Sequence, residues 1–193
     1  IKTLSKKKQN YFQNSFILKK ITGNKVIKDF QGLAIDSRVV KKNNLFLTIK
    51  GKNNDGSEFI PHALNKGARY IVSSKVEKRY RNKTLKVKNE ILFLNKFAKL
   101  KRENSLAKII AITGSVGKTS LKNLLKQLLQ NFAKTYSSPK SYNNHLGVPI
   151  SLSNLTSEDR YGVFEIGMSK KGEIDNLSKL IKPHIGIITN IGE

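Results

Sequence analysis

Apolar and polar positions change rhythm partway along the chain. Between Gly32 and Val87 short apolar runs (Leu33 to Ile35, Leu45 to Ile49, Tyr70 to Val72, Leu85 to Val87) alternate with turn-rich stretches such as Lys52 to Gly56. Runs of that length, bounded by Asn, Asp and Gly, predict strands. Pro61 to Lys66 predicts a short helix, because proline in a first turn lacks only an N–H that has no partner there anyway. Glu90 to Arg102 then sets Ile91, Leu92, Leu94, Phe97, Ala98 and Leu100 at helical spacing, and Arg102 to Ser105 turns polar. A domain boundary is placed there, giving residues 1–103 and 104–193; the first 30 residues add little.

Beyond the boundary Ile109 to Ile112 is a wholly apolar strand and Lys118 to Phe132 an amphipathic helix. Thr135 to Ser137 and Val163 to Ile166 follow as strands, Gly172 to Ile181 as a helix ending before Pro183, and Ile185 to Ile188 as another apolar strand. Continuously apolar strands alternating with helices predict a parallel sheet covered on both faces. Ligands of such sheets bind at the carboxyl ends of the strands. The fold class expected is α/β: a small α/β N-terminal domain followed by a P-loop-type parallel-sheet ATPase domain, truncated. Ile1 is not a methionine and the chain stops at Thr189 to Glu193, immediately after a strand, so a fragment at both ends is expected.

Chemistry enters at the end of the first strand of that second segment. Thr113, Gly114, Ser115, Val116, Gly117, Lys118, Thr119 and Ser120 form a glycine-containing loop between a strand and a helix. Gly114 and Gly117 permit conformations and close approaches closed to larger residues. Backbone N–H groups and the helix N-terminus would face phosphates, Lys118 would reach the β and γ phosphates, and the Thr119 hydroxyl would hold Mg2+. The early glycine of the strict Walker pattern is replaced by Ile112, so a glycine-rich turn that merely precedes Lys-Thr is the competing reading. Glu165, at the end of the Val163 to Ile166 strand, stands where a carboxylate for Mg2+ is wanted, or is a solvated strand-end glutamate. His145 lies in a polar turn and reads as a surface histidine; His62 and His184 carry less still.

Composition narrows the classes. With no cysteine, neither a disulfide framework nor a thiolate metal site is available. No apolar run approaches the roughly 18 residues a membrane span requires, and the polar start from Ile1 to Lys8 lacks a signal-peptide core. No membrane span and a cytoplasmic location are expected. Lysine and arginine number 37 against 13 acidic residues, a formal net charge of +24. Such a balance suggests a polyanion partner, yet the basic residues are spread along the chain and are not interleaved with aromatics. A lysine-rich solvated surface is favoured, no nucleic-acid partner is expected, and a basic ATP-dependent nucleic-acid-binding module is kept as the alternative.

The motifs TGSVGKTS, SYNNHLGVPISL, FEIGMSKKGEI and PHIGIITNIGE, in that order, resemble the central ATPase domain of the Mur ligases. That family uses the shifted phosphate loop, which resolves the missing glycine. The stretch AIDSRVVKKNNLFLTIKGKNNDGSEFIPHALNKGARYIV resembles the family's uridine-nucleotide-binding N-terminal domain. Within the family, Asn143 to Pro149, Glu165 to Met168 and Gly172 to Ile174 resemble the branch that adds D-alanyl-D-alanine, with the branch adding the third peptide residue as the alternative.

The resemblance implies an ATP-dependent amide ligase of class 6.3.2 in peptidoglycan synthesis. It would join UDP-N-acetylmuramoyl-tripeptide and D-alanyl-D-alanine through an acyl phosphate, with Mg2+, as a monomer. It implies Lys118, Asn143 and Asn144 as catalytic residues and Asn190 as a nucleotide neighbour. Thr119 and Glu165 would hold the metal, while Asp36, Ser37, Arg38, Asp55, Gly56 and Phe59 would line the UDP-sugar site. Arg38 would meet a phosphate or carboxylate, or form a structural ion pair. The family's usual Asp-Gly-His reads Asp55, Gly56, Ser57 here. The family's Ala-His pair, bridging lysine and C-terminal domain are not within the 193 residues, so this chain alone is expected not to ligate.

Overall fold

The computed structural model describes residues 13–23, 28–51, 54–140, 142–168 and 171–192. The chain separates into two compact units, Ile1–Phe97 and Ala98–Glu193. The division falls inside one continuous helix, Glu90–Asn104, and so upstream of the polar stretch at Arg102 to Ser105.

In the first unit, helix α1 (Asn14–Thr22) precedes strands β1 (Leu33–Ala34) and β2 (Leu45–Leu47), then helix α2 (Ile60–Asn65) and strands β3 (Tyr70–Ser73) and β4 (Thr84–Lys86). They form a four-stranded sheet in the order β1-β2-β3-β4, every pair parallel. Leu45, Phe46 and Leu47 are all buried, as a strand covered on both faces requires. On one side Phe46 packs with Ala34, Val40, Ile60, Ala63, Ala68 and Ile71. Helix α3 (Glu90–Asn104) begins in this unit and stacks Phe93 and Phe30 on Phe97, with ring centroids 6.1 and 5.9 Å apart.

The strands expected at Leu33 to Ile35, Leu45 to Ile49 and Leu85 to Val87 are present but shorter or shifted by a residue. Ile35 to Val39 bends into a 3-10 turn at Ser37–Val39, because the Asp36 side chain takes the Arg38 N–H and competes with strand pairing. Helix α1, which the sequence did not announce, buries Ile17 and Leu18. Its Asn14 amide donates to the Phe30 carbonyl at 2.7 Å.

The second unit runs β5 (Lys108–Thr113), α4 (Lys118–Gln130), β6 (Thr135–Ser137), α5 (Gly147–Ser153), β7 (Tyr161–Glu165), α6 (Glu173–Ile181) and β8 (Ile185–Ile188). The sheet order is β6-β7-β5-β8, again wholly parallel. Leu121, Leu125 and Leu129, four residues apart on α4, lie on Ile110, Ile112 and Val163. Helix α6 buries Leu177 and Ile181 and starts at Glu173, because Gly172 takes a left-handed φ of 82° just outside it.

Helix α5 begins just after the polar turn that holds His145, where the sequence announces no helix. All seven of its residues are buried, and the Ser151 and Ser153 hydroxyls donate to the Gly147 and Pro149 carbonyls one turn back. Burial thus overrides a Gly-Val-Pro sequence that locally signals a loop. Among the described residues no helix is long and apolar enough to cross a membrane.

Candidate functional site

The second unit concentrates its chemistry where β5 and β7 end together. Ile112 stands in register with Glu165, so the loop after β5 and the Glu165 carboxylate share one end of the sheet. Helix α4 opens at Lys118, and its first N–H groups have no partner within the helix. The macrodipole adds partial positive charge at the same place.

Gly114 adopts φ +129°, and a Cβ there would run into the Thr189 side chain and lie 2.9 Å from the Asn190 carbonyl. Only glycine lets loop and strand end approach this closely. The loop is then locked from β8's side. Ser115 N–H donates to the Asn190 carbonyl at 3.1 Å and Val116 N–H to Asn190 Oδ1 at 2.9 Å. The Thr189 hydroxyl donates to the Val116 carbonyl, and Gly192 N–H to Ser115 Oγ at 2.9 Å.

Two loop N–H groups expected to face phosphate are therefore already engaged, which leaves that task to the first turn of α4 and to Lys118. Lys118 Nζ bridges the Gly114 and Ser115 carbonyls, so its charge is held across the loop mouth. Ser120 is exposed in the first turn of α4. Asn190 is near the loop as expected, though it acts by binding the loop backbone.

Glu165 is 2% exposed and hydrogen-bonded at both oxygens. Asn143 Nδ2 donates to Oε1 at 2.9 Å, the Thr119 hydroxyl donates to Oε2 at 2.8 Å, and Lys122 Nζ lies 3.4 Å from Oε2. Burial pushes the carboxyl pKa up. The bonds from Asn143 and Thr119 and the charge of Lys122 outweigh burial and hold it below its ordinary value. The solvated-glutamate alternative is excluded, for this is a buried carboxylate kept ionised.

The donor set fits Mg2+. The Thr119 hydroxyl and the Glu165 carboxylate are hard oxygens that lie together in one place, the donor type that Mg2+ takes. Asn143 comes into the site through Glu165. Asn144 does not: its Oδ1 accepts from the Leu146 and Gly147 N–H groups and caps the start of α5.

Sequence reasoning passed over Lys122 and Thr189. Lys122 is three residues beyond Thr119, hence on the same helix face. That spacing was the only available signal, and nothing in the local sequence distinguishes this lysine from its many exposed neighbours.

In the first unit a cavity of about 370 Å³ is lined by Asp36, Ser37, Arg38, Gly56 and Phe59, with Ile35, Ile49, Gly51 and Asn54 completing it. The sequence-named residues are thus gathered in one place. Arg38 pairs with Asp36 at the cavity wall: its Nε and Nη2 meet the carboxylate at 3.0 and 2.8 Å, with the arginine side chain 82% exposed. His62 Nδ1 lies 2.9 Å from Ser37 Oγ.

Asp55 sits just behind the cavity, capping the 3-10 turn Gly56–Phe59. Its carboxylate accepts from both Ser57 N–H and Ser57 Oγ and pairs with Lys75 at 3.3 Å. The Ser57 bonds, aided by Lys75, hold the Asp55 pKa down at about 2. Gly56 passes against the backbone of Thr48 and Ile49, where a Cβ would come within 2.7 Å.

The profile of the Mur ligase family catalytic domain matches residues 29–102, and that of the Mur ligase middle domain matches residues 112–193. The UDP-N-acetylmuramoyl-tripeptide--D-alanyl-D-alanine ligase of Rickettsia prowazekii is 46% identical over 159 residues, covering 82% of this chain and 35% of that protein. The ligase of the same name from Bacillus subtilis is 32% identical over 164 residues, covering 84% and 36%. The crystal structure of MurF from Acinetobacter baumannii superposes with a TM-score of 0.78 at 31% identity, covering 91% of this chain and 40% of that one. MurF ligase from Thermotoga maritima, in complex with ADP, gives a TM-score of 0.70 at 30% identity, covering 86% and 39%. The chain spans a little over a third of the length of these relatives.

Proposed function

Because the chain belongs to the Mur ligase family, we propose that it forms the nucleotide-handling part of an ATP-dependent amide ligase that joins D-alanyl-D-alanine to UDP-N-acetylmuramoyl-tripeptide. The observation that carries this reading is the Thr119–Glu165 contact at the mouth of a phosphate loop. The names of the relatives supply the substrates.

In the proposed reaction the terminal carboxylate of the tripeptide attacks the γ-phosphorus of ATP. A bond forms between carboxylate oxygen and phosphorus, the bond to the ADP oxygen breaks, and an acyl phosphate results. The amine of D-alanyl-D-alanine then attacks the acyl carbon, inorganic phosphate leaves, and the amine gives up a proton as the amide forms. Negative charge spreads over the transferring phosphoryl group, so preorganised positive charge is what the site has to provide.

Lys118 supplies a full charge and the first turn of α4 supplies N–H donors. Thr119 and Glu165 are the residues that would hold Mg2+, which when bound neutralises phosphate oxygens. Asn143 keeps the Glu165 carboxylate turned toward Thr119. Residues up to about 103 would take the UDP-sugar in the cavity beside Asp36, with Ser57 carrying the Asp55 contact. A cytoplasmic, monomeric enzyme goes with this reading.

The test uses the full-length protein. Lys118→Ala is expected to lower ADP formation in the presence of the tripeptide nucleotide by roughly two to three orders of magnitude while leaving the fold intact. Undiminished ligation by that variant overturns the assignment. So does tight, salt-dependent oligonucleotide binding by a wild-type protein that the tripeptide nucleotide does not protect.

A further inference from the structure

Lys122 is one of two lysines that are buried among the described residues, at 2% exposure. The mechanism above makes no use of its charge. Its ammonium does two things at once: it donates to the Lys140 carbonyl and lies 3.4 Å from Glu165 Oε2. Glu165 Oε2 is the same oxygen that receives the Thr119 hydroxyl. The opposite oxygen receives Asn143, which lies three residues beyond Lys140. Lys122 therefore ties helix α4, strand β7 and the segment carrying Asn143 to one carboxylate.

A carboxylate buried this deeply needs compensating positive charge. The Lys122 ammonium stands 3.4 Å from Oε2 to furnish it. A divalent cation arriving at Glu165 and Thr119 thus meets a carboxylate that is already compensated, with a like charge a few ångströms away. The phosphate oxygens of a nucleotide would restore the missing negative charge.

We propose that Lys122 is a positioning residue that holds the Glu165 carboxylate in place and, by its charge 3.4 Å from Oε2, makes divalent-cation binding conditional on the nucleotide. This rests on the nucleotide-site reading. The proposal concerns when the cation binds, and it assigns Lys122 no contact with substrate.

The experiment titrates Mn2+ into the full-length protein, followed by its paramagnetic resonance signal, with and without ADP. Without nucleotide, Lys122→Met is expected to bind Mn2+ roughly tenfold or more tightly than wild type, since a like charge close to the same oxygen has gone. With ADP present the difference should shrink, and Lys122→Arg, which keeps the charge, should behave like wild type in both conditions. A lysine that merely supported the fold would lower stability without tightening Mn2+ binding, so equal Mn2+ affinity of K122M and wild type in the absence of ADP overturns the proposal.

Should K122M not yield folded protein, K122M/E165Q removes the orphaned carboxylate and is expected to fold. Its failure to fold overturns the pairing. A wild-type protein that binds no ADP with Mn2+ defeats the nucleotide-site reading and this inference together. ADP binding by wild type with unaltered Mn2+ behaviour in K122M defeats the role of Lys122 alone.

Discussion

The loop after β5 and the cavity beside Asp36 both gather polar groups at the carboxyl ends of parallel strands, but they hold them by different means. Around Glu165 the partners come from two distant stretches of chain: Thr119 and Lys122 on helix α4, and Asn143 on the segment whose Lys140 carbonyl takes the Lys122 ammonium, 22 to 46 residues away. The carboxylate is buried, and every contact belongs to one network. Around the cavity the carboxylates are held mainly by local contacts, with Lys75 and His62 reaching in from 20 and 25 residues away. Asp36 binds Arg38 and Asp55 binds Ser57, each two residues on, within short 3-10 turns. The lesson is one of coupling: disruption should spread through the first site and stay confined in the second.

The largest effect is expected on removing the shared carboxylate. Glu165→Ala strands the Lys122 ammonium in the interior and should destabilise the second unit by about 3–5 kcal/mol, read by chemical denaturation. A loss below about 1 kcal/mol would mean that the network is not coupled.

Gly114→Ala comes next. Its Cβ meets Thr189 and the Asn190 backbone at a φ that L residues avoid, so about 1–3 kcal/mol and a sharp loss of nucleotide affinity are expected, measured by calorimetry.

Asn144→Ala removes the two capping bonds at the start of α5 and should lose about 1 kcal/mol in the melting transition. Because the cap does not touch the Glu165 network, nucleotide affinity should change far less than for Gly114→Ala.

The smallest effect belongs to Asp55. Its folded pKa of about 2 lies below the reference value of 3.8, so the carboxylate stabilises the fold fully above pH about 4, and the contribution is lost as pH falls toward about 2. The stability gap between wild type and Asp55→Asn should be constant from about pH 5 to 7 and close between about pH 4 and 2. A gap that persists unchanged at low pH would show that the Ser57 contacts do not favour the charged form.

What the sequence disclosed follows the same division. The phosphate loop was legible because glycine, lysine and threonine at fixed spacing between an apolar strand and an amphipathic helix carry their own geometry. Asp36 to Arg38 and Asp55 to Ser57 were legible as clusters for a similar reason, their contacts being two residues apart. Lys122 was not legible, since its partners at Lys140 and Glu165 are brought to it only by the β6-β7-β5 order. Asn144 was assigned by resemblance to the reacting centre, where its side chain turns out to bind the backbone of α5. Helix α5 itself was hidden because Gly147, Val148 and Pro149 signal a loop locally, and only burial of all seven residues makes them helical. Arg38 stands open in the sequence between a ligand and an ion pair, and in the structure it forks on Asp36 while lining the cavity.

Locking the loop from β8's side has a consequence in time. Val116 is held by Asn190, 74 residues later in the chain, and β5 pairs with a strand that begins at Ile185. Parallel pairing allows no hairpin to form these contacts early. At a synthesis rate of about 5–20 residues per second, roughly 4–15 s separate emergence of the loop from arrival of the residue that closes it. During that interval the loop sequence is complete but its clamp is not, so ATP capture by the nascent chain should begin only once Thr189 and Asn190 have left the ribosome.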